Sequence, residues 1–390
     1  MIAEKSVCIK NSNVPVAIDL LWLRPGKVGG TEFYIRNLLA GMCKLDEDFN
    51  FVLICSKDNA ESFDGLLSDG RIKRIVADVF SANIGKRIIW QNLHQNALLR
   101  RNGIRHCFTP VYCRPIFNGG IEYLNTIHDI QAYHYPQYHP LYEVWFSKIN
   151  WIIDKYKSRH IVAISEFVKS DLINVYGFNP NKIDVIYNPI LIDDTEIIPA
   201  DQIEKEYGIT SRQYYYTVAQ LIPHKNLDTL IKVVKRIVSE NLDLPKTLVI
   251  SGIKGNAADK LYEILKEEGL EKNIVFTGFI DNAKRNSLYA LCRAFLFPSV
   301  FEGFGMPAVE AMYWGVPVLT TKCASIPEVT QNKANYVDDP YCVEEWIERL
   351  QRLPEHSEKI DFCRYDEKNI AKKYIYEIND YLLKADEYER

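Results

Sequence analysis

The chain has 390 residues, 47% apolar and 25% charged, with a formal net charge of −4. Such a length exceeds one ordinary core and points to two domains, while the small negative charge excludes any global attraction to nucleic acid or anionic lipid. The nine cysteines are odd in number, scattered, and never in a Cys-x-x-Cys pair, which argues against a disulfide framework and for reduced thiols in a cytoplasm.

In chain order, Val14 to Leu23 reads as a buried first strand, followed by Gly29-Gly30 and a helix carrying Phe33, Leu38, Leu39 and Met42. A strand, a glycine pair and a helix resemble a phosphate-contacting turn, but the full Gly-x-Gly-x-x-Gly pattern is absent and a plain tight turn fits as well. Strands are predicted at 51–55 and 72–76. The stretch 84–101 reads as a helix with Lys86, Arg87, Arg100 and Arg101 beside apolar residues. It is of the kind that lies on an anionic membrane surface, or else packs its apolar face on the core. A strand ending in His128-Asp129 places titratable groups where open α/β sheets bind ligands. A metal reading of Asp129 with His134 and His139 is disfavoured, because the stretch between them is aromatic and interrupted by proline.

Further strands fall at 161–164 and 183–186, with a helix from Ser165 between them, and the acidic stretch after Asn188-Pro189 marks a passage between domains. The alternation then restarts: a strand at 214–218, a turn containing Gln220 and Lys225, a helix at 227–238, and a strand at 247–251 entering the Gly252/Gly255 loop. Next come short runs at 274–276 and 278–280, a helix at 283–292, and the apolar run 294–297. Alternation on both sides of the break predicts two doubly wound α/β domains.

The stretch Phe301–Thr321 (FEGFGMPAVEAMYWGVPVLTT) carries the clearest chemistry. Glu302 lies in a glycine-punctuated loop, Pro307 suits the first turn of a helix, and Glu310 follows inside it. Gly303 and Gly305 allow close backbone approach, and the free N–H groups of a helix start favour an anion. With Lys225 as a point charge for a diphosphate, and the carboxylates as acceptors for sugar hydroxyls, the set describes a nucleotide-sugar site. No Asp-x-Asp motif stands out in a suitable loop for a metal.

Together the motifs GGTEFYIRNL, TIHDI, VAISEFVKSDLINVYG, YTVAQLIPHKNLDTLI and FPSVFEGFGMPAVEAMYWGVPVLTTKCASIPEV resemble family four of the retaining GT-B glycosyltransferases over nearly the whole chain. The Glu-x7-Glu segment is the specific part, and the GG and HD elements are individually weak. The resemblance implies a GT-B fold, two Rossmann-like doubly wound domains facing a central cleft. It places an acceptor-side domain at 1–194, a nucleotide-sugar domain at 195–368, and a C-terminal helix at 369–390 returning to the first domain. It also implies that Glu310 binds the ribose hydroxyls, that Glu302 and His128 lie at the donor sugar as catalytic residues, and that Lys225 meets the diphosphate. Donor contacts are further implied for Gly29 and Gly30, for Phe279 and Ile280 at the base, and for Gly303, Phe304, Gly305 and Met306 at the sugar. Gln220 stands where many relatives carry arginine, which leaves more of the leaving-group charge to Lys225.

The implied activity is metal-independent, retaining hexosyl transfer, with GDP-mannose the favoured donor and no cofactor or metal expected. The acceptor is a glycan or lipid-linked saccharide of bacterial surface polysaccharide or lipopolysaccharide, with no nucleic-acid partner. The expected location is cytoplasmic, with peripheral contact at the inner face of the cell membrane. A non-hydrolysing nucleotide-sugar epimerase, or an inactive nucleotide-sugar-binding subunit, would fit the same architecture.

Overall fold

The computed structural model describes residues 14–383, apart from 254, 256 and 257; Cys8 lies outside the described residues. The chain divides into two compact units, one reaching Pro189 and resuming at Cys363, the other Ile190–Phe362.

Unit 1 runs β1 (Val16–Asp19), α1 (Gly30–Cys43), β2 (Phe51–Cys55), β3 (Ile72–Val76), α2 (Ile84–Trp90), a π-helical turn (Gln91–Gln95), and α3 (Asn96–Arg101). It continues through β4 (His106–Thr109), β5 (Glu122–Ile127), α4 (Gln131–His134), α5 (Leu141–Lys157), β6 (His160–Ala163), α6 (Glu166–Tyr176) and β7 (Ile183–Val185). The strands form one parallel sheet in the order β3-β2-β1-β4-β5-β6-β7. Near-continuous apolar runs such as Phe51–Cys55 suit strands covered on both faces.

Unit 2 runs α7 (Ala200–Tyr207), β8 (Tyr214–Val218), α8 (Leu227–Ser239), β9 (Thr247–Ser251), α9 (Ala258–Glu268), β10 (Ile274–Gly278), and α10 (Asn282–Leu291). It closes with β11 (Ala294–Phe297), α11 (Met306–Tyr313), β12 (Val318–Thr321), α12 (Ile326–Val329), β13 (Asn335–Val337) and α13 (Val343–Gln351). Its parallel sheet has the order β10-β9-β8-β11-β12-β13. The final helix, α14 (Glu367–Glu377), packs with unit 1: Ile370, Ala371, Tyr374 and Ile375 share one core cluster with Tyr34, Ile35 and Leu38 of α1. The contact is so close that a Cβ on Gly41 would meet the Glu367 carbonyl at 2.3 Å.

Three elements differ from the sequence reading. The first strand ends at Asp19 rather than Leu23, because the Asp19 carboxylate accepts the Leu21 amide and turns the chain while Leu20–Leu23 stay buried. The helix expected over 84–101 is broken by the π-helical turn, which aims Gln91 and Gln95 at Asp19. Its basic face shrinks as a result, since Arg87 is buried and Arg100 is tied to the Gly119 carbonyl. The pattern also assigns nothing to 141–157, where α5 is the longest helix described. The eight described cysteines are all free, and no described helix is long and apolar enough to cross a membrane.

Candidate functional site

In each sheet the strand order reverses at one place, between β1 and β4 in unit 1 and between β8 and β11 in unit 2. Diverging loops at the carboxyl ends of such strands leave a crevice, the usual ligand site of an open α/β sheet.

In unit 2 the chain leaving β8 carries Gln220 and Lys225, and the chain leaving β11 carries Glu302. Lys225 Nζ donates to Glu302 Oε1 at 2.6 Å, so residues 77 apart in sequence meet at the reversal point. Both side chains are largely buried. Two backbone devices hold the loops. The Val300 amide donates to the His224 carbonyl, and Asn226, in the left-handed region with φ 52°, donates from its side chain to the Pro298 and Pro340 carbonyls. Gly252 and Gly255 brace the Gln220 turn from behind, for a Cβ on either would lie within 2.3 Å of the Ala219 or Leu221 carbonyl oxygen.

The β11–α11 loop is held by buried Ser325, whose hydroxyl lies within hydrogen-bond reach of the Glu302 and Phe304 carbonyls. Gly305 caps α11 with φ 94°, a conformation that suits glycine, and Pro307 occupies the first turn as the sequence predicts. The loop Gly303–Met306 thus delivers a helix N-terminus beside the Lys225–Glu302 pair, an arrangement suited to an anion.

Glu310 is 8% exposed. Tyr289 donates to its Oε2 at 2.9 Å, and Arg285 Nη2 lies 3.8 Å from Oε1. Burial alone would lower the Arg285 guanidinium, but Glu310 beside it holds it above its ordinary value. Burial, then Glu310, pushes the Tyr289 phenol well up. Sequence reasoning missed both partners, although their spacing of four on one helix was a signal. Phe279 and Ile280 follow β10, and the Phe279 ring is exposed.

In unit 1 a cavity of about 320 Å³ opens at the β1–β4 reversal. Trp22 and Arg24 line it from the chain after β1, Val111 to Cys113 from the chain after β4, and Thr31 from the turn beside Gly29 and Gly30. His128 and Asp129 line it as well, together with Thr31, the residue that follows the glycine pair. Gly29 has φ 62° and caps α1, with Gly30 its first residue. Arg87, placed by both sequence readings on a basic face of 84–101, lines the same cavity while buried, and acts coulombically on Asp19. Burial pushes the Asp19 carboxyl up, against the Leu21 amide and the Gln95 and Gln91 side chains that favour its ionised form.

His128 Nε2 donates to the Pro110 carbonyl at 2.8 Å, and the ring meets Tyr34 edge-on at 4.7 Å. Burial lowers its pKa to about 4, so the ring is neutral near pH 7 with its proton on Nε2. An unfolded chain binds that proton at its ordinary pKa of 6.5, so stability is full above 6.5 and is lost as pH falls toward 4. Melting curves should show this acid-side loss in the wild type, at most about 3 kcal/mol, and His128→Asn should remove its share. An unchanged slope in the variant would place the titration elsewhere. Asp129 accepts the Gln131 amide, whereas His134 pairs with Asp171 and His139 with Glu143, so these three do not gather as one ligand set.

The expectation that no metal is involved is corrected by a different group. His160 of β6, Asp184 of β7 and Glu377 of α14 bring ligand atoms within 4.8 Å of one another. His160 Nε2 lies 2.7 Å from Asp184 Oδ2 and 3.7 Å from Glu377 Oε2, so the imidazole stands between two carboxylates. One imidazole nitrogen with two carboxylate oxygens is a donor set that a divalent cation accepts. Burial, reinforced by Asp184 and Asp380, pushes the Glu377 carboxyl up to about 8, and a bound cation would offset that cost. The sequence hid the group because its members lie at 160, 184 and 377, on two strands and the returning helix.

Two doubly wound parallel sheets, each with one strand reversal, have the GT-B architecture, and the match of both units to glycosyltransferase family models makes the chain a glycosyltransferase of that fold. Residues 28–194 match the family model described as Glycosyltransferase Family 4, and residues 200–370 match Glycosyl transferases group 1. The chain is 28% identical to O-antigen chain mannosyltransferase B of Escherichia coli over 222 residues, 56% of this chain and 57% of that protein. It is 25% identical to O-antigen chain mannosyltransferase RfbU of Salmonella typhimurium over 362 residues, 90% of this chain and 96% of that protein. Among solved structures, Anabaena HepE in complex with UDP and glucose superposes with a TM-score of 0.68 at 15% identity, covering 94% of this chain and 99% of that one. WaaG, a glycosyltransferase involved in lipopolysaccharide biosynthesis, gives 0.64 at 17% identity over 92% and 94%. At these identities the superpositions establish the fold alone.

Proposed function

We propose that the chain transfers a hexosyl unit from a nucleotide diphosphate sugar to a saccharide or lipid-linked saccharide acceptor in bacterial surface-polysaccharide or lipopolysaccharide synthesis. The observation that carries this reading is the meeting of Lys225 and Glu302 at the unit 2 strand reversal, beside the α11 N-terminus. A lysine and a helix start serve a diphosphate, and carboxylates at 302 and 310 accept hydrogen bonds from sugar and ribose hydroxyls. Unit 2 takes the donor and unit 1 the acceptor, whose hydroxyl comes within reach of the cavity holding His128 and Arg87. Transfer breaks the bond from anomeric carbon to phosphate oxygen, and the electron pair leaves with the nucleotide diphosphate. The acceptor oxygen bonds the same carbon on the same face, and its proton passes to the departing phosphate, so configuration is retained.

GDP-mannose is the favoured donor, supported by the two mannosyltransferase relatives; the UDP bound in HepE makes uridine sugars the main competitors. Calorimetry against GDP-mannose, UDP-glucose, UDP-galactose and UDP-N-acetylglucosamine tests the choice. GDP-mannose should bind at least about tenfold more tightly than the others, a 1.4 kcal/mol difference. Tighter binding of a UDP-sugar would replace the donor assignment. NMR of the donor incubated alone should show no new sugar nucleotide; an epimer would overturn the transfer reading.

A further inference from the structure

We propose that α5 is a docking helix for an anionic phospholipid bilayer. Most of its large apolar residues lie on the outer face. The face turned into the protein carries Val144, Ser147, Asn150, Trp151 and Asp154, all buried, with Asp154 paired to Arg114. The opposite face is apolar: Leu141, Tyr142, Trp145, Ile149, Ile152 and Tyr156 are all exposed, Trp145 by 65% and Leu141 by 77%. At 3.6 residues per turn these six fall within roughly 100° of arc, a continuous stripe along the helix. An exposed strip of large apolar side chains costs free energy unless something covers it, and a soluble monomer rarely keeps one.

The charges beside the stripe identify what covers it. Lys148 lies along one edge, with its ammonium over the Tyr133 and Trp145 rings, while Lys155, two turns later, donates to the Tyr176 carbonyl. Lys157 stands exposed at the helix end. The acidic residues of the helix are Glu143, which lies beside His139 and accepts from the Tyr142 hydroxyl at the edge of the stripe, and Asp154, which faces inward. A cationic edge along Trp, Tyr and aliphatic side chains matches an anionic headgroup layer over acyl chains. A second copy of the chain, brought together on this stripe, would set like charges against each other. The stripe also explains how a chain of net charge −4 can approach a negative surface, since the attraction is local. It relocates the membrane contact expected of 84–101, where Arg87 is turned inward. The inference is independent of the transfer reading, because it is tested without donor or acceptor.

The full-length protein is floated with vesicles of phosphatidylcholine alone and of phosphatidylcholine mixed with phosphatidylglycerol. Wild type should float with the anionic vesicles and be released by high salt. The double variants Trp145→Glu with Ile149→Glu, and Lys148→Glu with Lys157→Glu, should each lower partitioning by about tenfold or more, with donor binding and melting unchanged. Quenching of tryptophan emission by brominated lipid supplies a test with a milder change: it should occur in wild type and be largely lost in Trp145→Phe. Three outcomes would overturn the proposal: no flotation of wild type, equal flotation of all variants, or a wild-type dimer that the Glu variants dissolve while vesicles are ignored.

Discussion

Lys225→Ala lowers kcat/KM by about two to three orders of magnitude, the scale set by removing one preorganised charge contact to a developing anion. The loss falls mainly on kcat, because negative charge grows on the leaving diphosphate as the sugar bond breaks. Removing Lys225 also strips Glu302 of the partner that donates to it at 2.6 Å, leaving a largely buried carboxylate facing the same anion. Gln220 adds no charge of its own to the turn, so the site has little with which to compensate. Steady-state kinetics with saturating acceptor check the prediction, and activity within threefold of wild type would remove Lys225 from the chemistry.

The second large effect is expected at Glu310. Glu310→Ala leaves the Tyr289 hydroxyl without its acceptor and the buried Arg285 without its neighbouring countercharge, so melting should report a loss of about 3 kcal/mol. Glu310→Gln separates stability from recognition. The amide oxygen still accepts from Tyr289, so most of the stability returns, whereas hydrogen bonds from ribose hydroxyls to a charged acceptor are lost. Nucleotide affinity should then fall by about tenfold to a hundredfold. Calorimetry with the nucleoside diphosphate reads this directly, and unchanged affinity in Glu310→Gln would remove the ribose role.

Much of this architecture was legible because parallel strands buried on both faces leave unbroken apolar runs, such as 51–55 and 294–297, that no other element explains as well. The donor-side loop was legible for a related reason: Gly305 and Pro307 are punctuation that a helix start demands. What escaped was long-range. The Tyr289–Glu310 bond, the Arg87 side chain turned into the cavity and the His160, Asp184 and Glu377 cluster each join distant segments. Local periodicity carries no trace of such meetings. Helix α5 escaped for a different reason, since its apolar residues lie on the outer face as well as the inner one and leave no single apolar stripe by which a surface helix is recognised.

The return of α14 to unit 1 has a consequence for biosynthesis. The Tyr374 hydroxyl accepts from Tyr34 and lies within hydrogen-bond reach of Thr126 in the middle of the first core, one ring away from His128. That core therefore stays unfinished while the 173 residues from Ile190 to Phe362 are being synthesised, roughly ten to thirty seconds at ordinary elongation rates. The second unit can fold first, although it is made later. On the ribosome the sheet of unit 1 is sealed only after unit 2 has been made, and its His128 pocket acquires the backing of Tyr374 only when α14 emerges.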